Sequence, residues 1–197
     1  MLETTPEFHY LALALATARK IIEDLPDHLI RGDLDELKLK SYVLLQHAAI
    51  EEYLERVSLY VLNQCKRQFD QTSKVTEPLI SVCCYYSINV VTSSDLFEKM
   101  CRQAINKHVV ALDGIHGIKT KDQDAIMNPV GIKMHDFDRV LSQMLNALGG
   151  NRGSVAHVFR IRQLSPKVAL ERESQTLLRL LQTFDNELCR KISLVYS

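Results

Sequence analysis

The segment from residue 33 to residue 69 most constrains the fold, because its apolar residues repeat with the period of an α-helix. Asp33 or Asp35 begins the segment, and Phe69 ends it. Apolar side chains recur every three or four positions between them, which is the spacing of a helix face that packs on a core. The members of this stripe are Tyr42, Leu45, Ala49, Tyr53, Val57 and Tyr60. The sequence therefore predicts one long helix that forms the spine of the domain.

Helices are also predicted on both sides of this spine. Thr4-Thr5-Pro6-Glu7 is typical of a helix N-terminus, because threonine caps free amides, proline fits the first turn and glutamate suits the positive end of the dipole. Pro26 ends that helix. Thr92-Ser93-Ser94-Asp95 predicts the cap of another helix, and Ser165-Pro166 starts the last one. Each has apolar residues at helical spacing, for example Leu11, Leu15, Ala18, Ile22 and Leu25 in the first.

Two stretches are less regular. Pro78–Tyr86 is a continuous apolar run that suits either a buried strand or a short buried helix, and periodicity does not separate the two. A helix is favoured, because no nearby segment offers a partner strand. Residues 112–133 are polar and interrupted by three glycines and one proline, which predicts the longest loop of the chain.

The order of these elements predicts the fold class. A helix over residues 137–148 follows the loop and is expected to end at Gly149-Gly150, since glycine commonly stops helices. The chain then reads as an all-α bundle of five or six helices around a long central helix. Its 197 residues suit one domain, residues 1–197.

Composition narrows the function classes. The chain has 24 basic and 24 acidic residues, so any binding of nucleic acid must rely on a local patch. Its five cysteines lack metal-ligand spacing and are expected to be reduced core residues. No apolar run approaches the roughly 18 residues of a membrane span, and the start Met1-Leu2-Glu3 does not resemble a signal peptide. We expect a cytoplasmic protein with no membrane partner.

The segment Asn151-Arg152-Gly153-Ser154-Val155-Ala156-His157 carries the residue types needed to cleave RNA without a metal. Arginine offers a permanently charged fork for phosphate oxygens, and histidine transfers protons near neutral pH. In a helix the two positions would lie about 140° apart, so they converge only around a bend or across a dimer. Gly149-Gly150 is expected to supply the bend. Short arginine–histidine spacings also arise by chance, and a structural role for both residues stays open.

At this point the chain resembles a known family, the higher eukaryotes and prokaryotes nucleotide-binding (HEPN) domains, and especially their ribonuclease branch. Members are small helical bundles with an arginine, four to six residues and a histidine near the start of the last long helix. The segment 151–157 fits that pattern, with Gly153 where a polar residue usually follows the arginine. The segment His47–Leu54 is similar to the family's second-helix pattern, in which an acid precedes an aromatic. The resemblance covers residues 35–190.

The resemblance implies an endoribonuclease that needs no metal or other cofactor. The ribose 2′-hydroxyl attacks the phosphate and leaves a cyclic phosphate and a 5′-hydroxyl. Arg152 would hold the phosphate and His157 would transfer protons. Glu51 takes the place of the acid that supports them, or is a surface acid. Asn151 and Ser154 are supporting candidates, with Ser154 equally suited to capping a helix.

The resemblance also implies partners. One histidine does not readily serve as both acid and base, so a homodimer that joins two Arg152–His157 pairs in one cleft is expected. Arg160, Arg162 and Lys167 could follow the RNA backbone, or could form a solvated charged face. A toxin-like or phage-defence effector would have an antitoxin or regulatory partner. The alternatives are a catalytically inactive HEPN-like module that binds RNA, nucleotide or protein, and a plain helical interaction module.

Two other groups of titratable side chains are candidate sites. His108 and His116, with Asp113 between them, have no third and fourth ligand at metal-site spacing, so they are interpreted as loop residues. His135-Asp136 with Asp138 is interpreted as a helix N-terminus with favourable acids. The sequence predicts no metal site.

Overall fold

The structure is a computed structural model that describes residues 4–28, 32–87, 94–157 and 165–193, with the backbone alone at 94, 95, 154, 156 and 157. In these ranges the chain forms eight α-helices, two 3-10 turns and no strand, which confirms the all-α prediction. The helices are α1 Pro6–Arg19, α2 Asp33–Thr72, α3 Glu77–Tyr85, α4 Ser94–Leu112, α5 Thr120–Met127, α6 Met134–Phe137, α7 Arg139–His157 and α8 Lys167–Ser193. The 3-10 turns are Lys20–Ile22 and Asn128–Val130.

The starts of the outer helices follow their predicted signals. The end of the first helix does not: α1 ends at Arg19 and the 3-10 turn after it at Ile22, so both end before Pro26, where the end was predicted. The Thr5 hydroxyl accepts the Phe8 amide at 3.2 Å, and Pro6 occupies the first turn of α1. The last helix begins directly after Ser165-Pro166. Residues 77–85 form a helix, as favoured. The cap predicted for α4 lies partly outside the described residues, since 92 and 93 are not described.

The central helix α2 is 40 residues long and begins at Asp33. Acids in its first turn favour the positive end of the helix dipole, and Ser73, with a left-handed φ of 57°, ends it. Helices pack on several sides of α2, so its buried face is wider than the predicted stripe and includes Gln46 and His47. Leu45, which the stripe assigned to the core, is 44% exposed.

The prediction of a long loop over residues 112–133 is wrong. This stretch contains α5 and the second 3-10 turn, which raise the helix count above the expected five or six. This stretch folds although it is polar, because the amide of Gln123 is fully buried and forms hydrogen bonds where an apolar side chain would usually pack. Its Nε2 donates to the carbonyls of Ile118 at 2.8 Å and Ser142 at 3.1 Å, and its Oε1 accepts the Ser142 hydroxyl at 2.7 Å. These bonds fix α5 on α7.

The prediction that a helix ends at Gly149-Gly150 is also wrong, because α7 continues through both glycines to His157. The reason is a close approach: a β-carbon at Gly149 would lie 3.0 Å from Lys119 Cγ and 3.4 Å from Lys119 N. Gly149 therefore admits the chain beside α7 and does not stop the helix. The arginine–histidine segment consequently lies at the end of α7, not at the start of α8, and the backbone of Ser154 lies inside α7, not at a helix N-terminus.

A buried carboxylate joins α1, α2 and α8. Asp185 of α8 is fully buried and accepts the Thr5 amide and the Thr5 hydroxyl, each at 2.6 Å. The Tyr53 hydroxyl of α2 donates to the same carboxylate at 2.8 Å. Burial, together with the neighbouring Asp185 carboxylate, raises the pKa of Tyr53 well above its ordinary value. Three donors thus satisfy one buried charge, and they fix the relative positions of the three helices.

We expect Asp185→Ala to lower the free energy of unfolding by about 3 kcal/mol, because it leaves the buried hydroxyl of Tyr53 and the amide of Thr5 without their acceptor. Urea denaturation followed by circular dichroism measures the change. Glu173→Ala, at an exposed acid of the same helix, should change the free energy by less than about 0.5 kcal/mol. Equal effects of the two substitutions would contradict this role for Asp185.

Candidate functional site

Three titratable side chains form a row along α2. His47, Glu51 and Glu55 are spaced four residues apart, so they lie on one side of the helix. His47 is 2% exposed, and its Nδ1 lies 3.5 Å from Glu51 Oε2. Glu51 and Glu55 are half-buried. Partial burial places these two carboxylates in surroundings with a lower dielectric constant than water, where their charges interact strongly with neighbouring groups.

Arg152 of α7 brings its charge to this row. The guanidinium is partly buried and lowers the pKa of both His47 and Glu51. Burial is the larger influence on both groups: it lowers the pKa of His47, which reaches about 4, and raises the pKa of Glu51. His47 is therefore neutral at physiological pH. Glu51 and Arg152 form the charged centre of the site.

The connection between α4 and α5 closes the other side of the row. The backbone amide of Gly117 faces Glu51 and lowers its pKa. His116, which is exposed, lowers the pKa of both Glu51 and Glu55. Asp122 of α5 raises the pKa of Glu51. Groups from α7, from the connection between α4 and α5 and from α5 thus act on the carboxylates in the middle of α2.

Close packing holds this connection in place. A β-carbon at Gly117 would lie 2.5 Å from Asp122 Oδ2, and that oxygen accepts the Lys119 amide at 3.1 Å. The Thr120 amide donates to Asn146 Oδ1 of α7 at 3.3 Å. The same segment lies against Gly149, where a side chain would collide with it. The chain is therefore held in place directly after His116.

The two carboxylates differ in their proton affinity. Burial and the neighbouring Glu51 raise the pKa of Glu55 to about 7, so this carboxyl is partly protonated at neutral pH. Glu51 Oε1 is buried and has no hydrogen-bond partner in the described parts of the chain. A buried oxygen without a donor is a free acceptor at the centre of the site. The arrangement can hold an anion at Arg152 and exchange protons at Glu55.

Glu51 and Arg152 interact electrostatically, since the guanidinium lowers the pKa of the carboxyl. Asn151 is exposed beside them in α7. The backbone of Ser154 and His157 belongs to the same helix, and their side chains are not described. Because α7 is continuous, positions 152 and 157 lie about 140° apart around its axis. The expected bend that would bring them together in one chain does not exist.

The three proposed RNA contacts have different outcomes. Arg160 and Arg162 lie outside the described residues. Lys167 is held at the start of α8, where its Nζ donates to the carbonyls of Glu23 at 2.9 Å and Leu25 at 3.0 Å. Only 12% of its side chain is exposed. Lys167 thus joins α8 to the chain after α1, and this contact occupies its ammonium group.

His47, Glu55 and His116 were not predicted as site residues. The sequence shows that residues 47, 51 and 55 are four positions apart and so share one side of a helix, but charged residues on ordinary exposed helix faces have the same spacing. His116 carried no usable signal, because its place beside Glu51 depends on how the buried Gln123 fixes α5.

His108 is a buried structural residue of α4 and not a loop residue. Its Nε2 lies 3.0 Å from the Ser58 hydroxyl and its Nδ1 lies 3.1 Å from the Tyr86 hydroxyl. The Ser58 hydroxyl donates a hydrogen bond to the Glu55 carbonyl at 2.8 Å. The Ser58 oxygen therefore accepts a hydrogen bond from His108 Nε2, and the Tyr86 hydroxyl donates one to His108 Nδ1. Burial lowers the pKa of His108 to about 4. Ser58 is fully buried and its hydroxyl donates a hydrogen bond to a backbone carbonyl, so it is not placed to act as a nucleophile.

Other candidate sites are weak in the described parts of the chain. No group of three or more histidine, cysteine, aspartate or glutamate side chains there is arranged to hold a metal. A surface pocket of about 40 Å³ lies between α1 and α2, away from Arg152. Arg56 crosses it, with Glu7 at 2.8 Å, Glu52 at 2.9 Å and the Tyr10 ring centroid at 5.3 Å. This volume is too small for a nucleotide.

Comparison of the chain with protein-family models, with curated proteins and with solved structures found no match. Among the described helices, none combines the length and the apolar composition required to traverse a lipid bilayer.

We expect His108→Gln to weaken the pH dependence of stability between pH 6.5 and 4. The folded protein keeps His108 neutral down to about pH 4, whereas an unfolded histidine binds a proton near pH 6.5. As the pH falls through this window the unfolded chain gains a proton that the folded chain does not. The fold thereby loses up to about 3 kcal/mol, and this loss is absent above pH 6.5.

Urea denaturation at several pH values between 7 and 4 measures this effect. The His108→Gln variant should keep part of the dependence of stability on pH, because the pKa of His47 is also lowered to about 4. His135→Gln, at a histidine with a 54% exposed side chain, is the matched control and should leave the slope unchanged. A wild-type slope in His108→Gln would show that His108 is not the group responsible.

Proposed function

We propose that this protein is a metal-independent endoribonuclease of the HEPN type, acting as a toxin-like or phage-defence effector. The observation that supports the proposal is the electrostatic interaction between Arg152 and Glu51, by which the guanidinium lowers the pKa of the carboxyl. These are the two positions that the resemblance assigns to the phosphate-binding arginine and its supporting acid, and they come from segments about one hundred residues apart.

The side chains suit cleavage by the substrate's own 2′-hydroxyl. Arg152 binds the phosphate and offsets the charge that develops on it, and Glu51 holds the guanidinium in position. His157 donates a proton to the departing 5′-oxygen. Asn151, exposed next to Arg152, and Ser154 are proposed to hydrogen-bond the substrate. Arg160 and Arg162 remain proposed backbone contacts, while Lys167 is left out because α8 uses its ammonium group.

A homodimer is part of the proposal, because positions 152 and 157 diverge around α7 and a second copy can supply the missing histidine. The side of α2 that carries Glu51 and Glu55 continues as Leu37, Leu44 and Ala48, which share the same helical row. Leu37 is 57% exposed and Leu44 is 36% exposed. An exposed apolar row that runs into the site is suited to a second copy of this chain.

The alternative is a HEPN-like module that binds RNA, nucleotide or protein without cutting it. The half-buried acids around Glu51 favour it to some extent, since carboxylates repel phosphate unless they are protonated or paired. An antitoxin or regulatory protein remains a proposed partner in either case. Binding of RNA without cleavage by the wild-type protein would identify this alternative.

We expect the purified protein to cleave a labelled mixed RNA pool in EDTA and to leave cyclic-phosphate ends. His157→Ala should lower the rate by about 10²–10⁴-fold, because the leaving oxygen loses its proton donor. Arg152→Ala should lower it by about 10²–10³-fold, because the phosphate loses its charge stabilisation. Initial rates from gel-resolved products measure both effects.

The controls use matched residues on nearby elements. Arg139→Ala, at the exposed first residue of α7, and His135→Ala, at an exposed histidine of α6, should cleave at the wild-type rate. Cleavage that survives both His157→Ala and Arg152→Ala would assign the activity to a contaminant or to another site. Absence of cleavage by the wild type would overturn the proposed activity.

We expect the active protein to sediment as a dimer and Leu37→Glu with Leu44→Glu to sediment as a monomer, because two charges would have to be buried in the interface. The double variant should lose cleavage together with dimerisation. Leu13→Glu, at a 66% exposed leucine of α1, is the control and should remain dimeric. A wild-type monomer that cleaves RNA at the concentration of the assay would contradict the dimer.

A further inference from the structure

We propose that Cys83 of α3 and Cys101 of α4 form a redox-sensitive pair, which a peroxide converts from two thiols to one disulfide. This inference is independent of the proposed ribonuclease function, because neither residue belongs to the row on α2 or to the arginine–histidine segment. It rests on the contact between the two sulfurs, on the packing of α3 against α4, and on the position of Cys83 near the end of a short helix.

The contact between the two sulfurs is the first argument. The Sγ atoms of Cys83 and Cys101 lie 3.9 Å apart, and both side chains are fully buried. The sulfurs of a disulfide are about 2.05 Å apart, so these two need to approach by less than about 2 Å. Small rotations of both side chains about their Cα–Cβ bonds can cover this distance. The two thiols are therefore neighbours from which a disulfide can form within the folded protein.

The packing of α3 against α4 keeps the two sulfurs face to face. A second contact joins the same helices, because the Tyr86 hydroxyl, directly after α3, lies 3.1 Å from His108 Nδ1 of α4. Positions 101 and 108 are two helical turns apart, so they share one face of α4. Two contacts along one face fix the rotation of α4 about its axis. The position of Cys101 opposite Cys83 is therefore a property of the helix packing.

The end of α3 gives an oxidant its route to the buried pair. This helix is only nine residues long, and Cys83 lies in its last turn. Its first turn is held by the ion pair of Glu77 with Lys191 of α8, at 2.8 Å. In the last turn Cys84 and Tyr85 are exposed. Helix ends fray more readily than helix interiors, so opening of this one turn uncovers the Cys83 sulfur to a molecule as small as hydrogen peroxide.

The oxidation is balanced with hydrogen peroxide as the oxidant. The Cys83 thiolate attacks one peroxide oxygen, the oxygen–oxygen bond breaks, and the products are a sulfenic acid at Cys83 and one water. The Cys101 thiol then attacks the Cys83 sulfur, forms the sulfur–sulfur bond and displaces the sulfenic oxygen as a second water. Two thiols have thus lost two electrons and two protons, and one peroxide has been reduced to two waters. Dithiothreitol reverses the change by thiol–disulfide exchange.

The disulfide would change how α3 opens. It joins residues 18 positions apart and so adds a covalent link between α3 and α4. Such a link restricts the unfolded chain and stabilises the fold. It also holds the last turn of α3 on the core, so that this turn no longer opens independently. Disulfides that form in reducing compartments are usually transient and respond to oxidants.

The test uses the full chain with Cys84→Ser, because a cysteine next to Cys83 would confuse the mapping of the bond. The reduced, folded protein is treated with hydrogen peroxide, its remaining thiols are alkylated with N-ethylmaleimide, and they are counted by intact mass. Without Cys84 four of the five cysteines remain, and we expect the alkylated thiols to fall from four to two. A peptide map under non-reducing conditions should join residue 83 to residue 101. Cys65→Ala, at another buried thiol, is the matched control and should form the same bond.

The thermal midpoint and amide hydrogen exchange measure the effect on the fold. We expect peroxide to raise the midpoint by about 5–10 °C and to slow exchange in α3, and dithiothreitol should reverse both changes. Cys83→Ala and Cys101→Ala should show no bond and no rise. Circular dichroism before treatment establishes that each variant is folded.

Three outcomes would overturn the pair. The first is a folded protein that keeps its thiols at a peroxide concentration that oxidises the exposed Cys84 of the wild type. The second is a bond that forms only in urea, where distant cysteines can meet. The third is oxidation of Cys83 to the sulfinic acid without a bond to Cys101. RNA cleavage is measured in none of these experiments, so their failure would leave the ribonuclease proposal as it stands.

Discussion

The carboxylate of Asp185 is the interaction on which the rest of the structure depends. It is the point at which the first, second and last helices meet, and all three of its hydrogen bonds come from groups that would otherwise be buried without partners. Tyr53, one of its donors, follows Glu51 by two positions on α2. The bond from Tyr53 therefore fixes the axial and rotational position of α2, and with it the direction of the acidic row. A structural contact on one side of the helix thereby determines the geometry of the candidate site on the other.

The site itself combines opposite charges that would be unfavourable separately. Half-buried carboxylates without a cation would bind protons, and a partly buried arginine without an acid would lose hydration that nothing replaces. Arg152 and the Gly117 amide lower the pKa of Glu51, whereas burial and the neighbouring Glu51 raise the pKa of Glu55 to about 7 although His116 lowers it. Two glutamates one helical turn apart therefore have different proton affinities. That difference is useful for chemistry in which one group binds charge and another moves protons.

Local signals in the sequence were sufficient for most of the fold. Thr5-Pro6, Asp33 and Ser165-Pro166 act through contacts within one turn, so the helix starts could be predicted from neighbouring residues alone. Gly149 and the stretch 112–133 were misinterpreted because their roles depend on tertiary contacts. Gly149 gives room to Lys119, and Gln123 within the stretch donates to two carbonyls in place of apolar packing. The same limit applies to the site. Glu51 and Arg152 were predicted from a resemblance, while His116 is placed only by tertiary packing.

The glycines of α7 have a consequence for local stability. Gly149, Gly150 and Gly153 lie within five positions of one another, and each lowers helix stability by about 1 kcal/mol relative to alanine. Gly149 is compensated by its contact with Lys119, but a β-carbon at Gly150 or Gly153 would have no described atom within 4 Å. The turn that carries Arg152 therefore opens at a lower free energy than the middle of α2, and its amide hydrogens exchange faster. The acids of the site thus lie on a helix that opens rarely, α2, and Arg152 lies on a turn of α7 that opens more readily. A bound polyanion would therefore slow hydrogen exchange in the turn that carries Arg152 and not in α2.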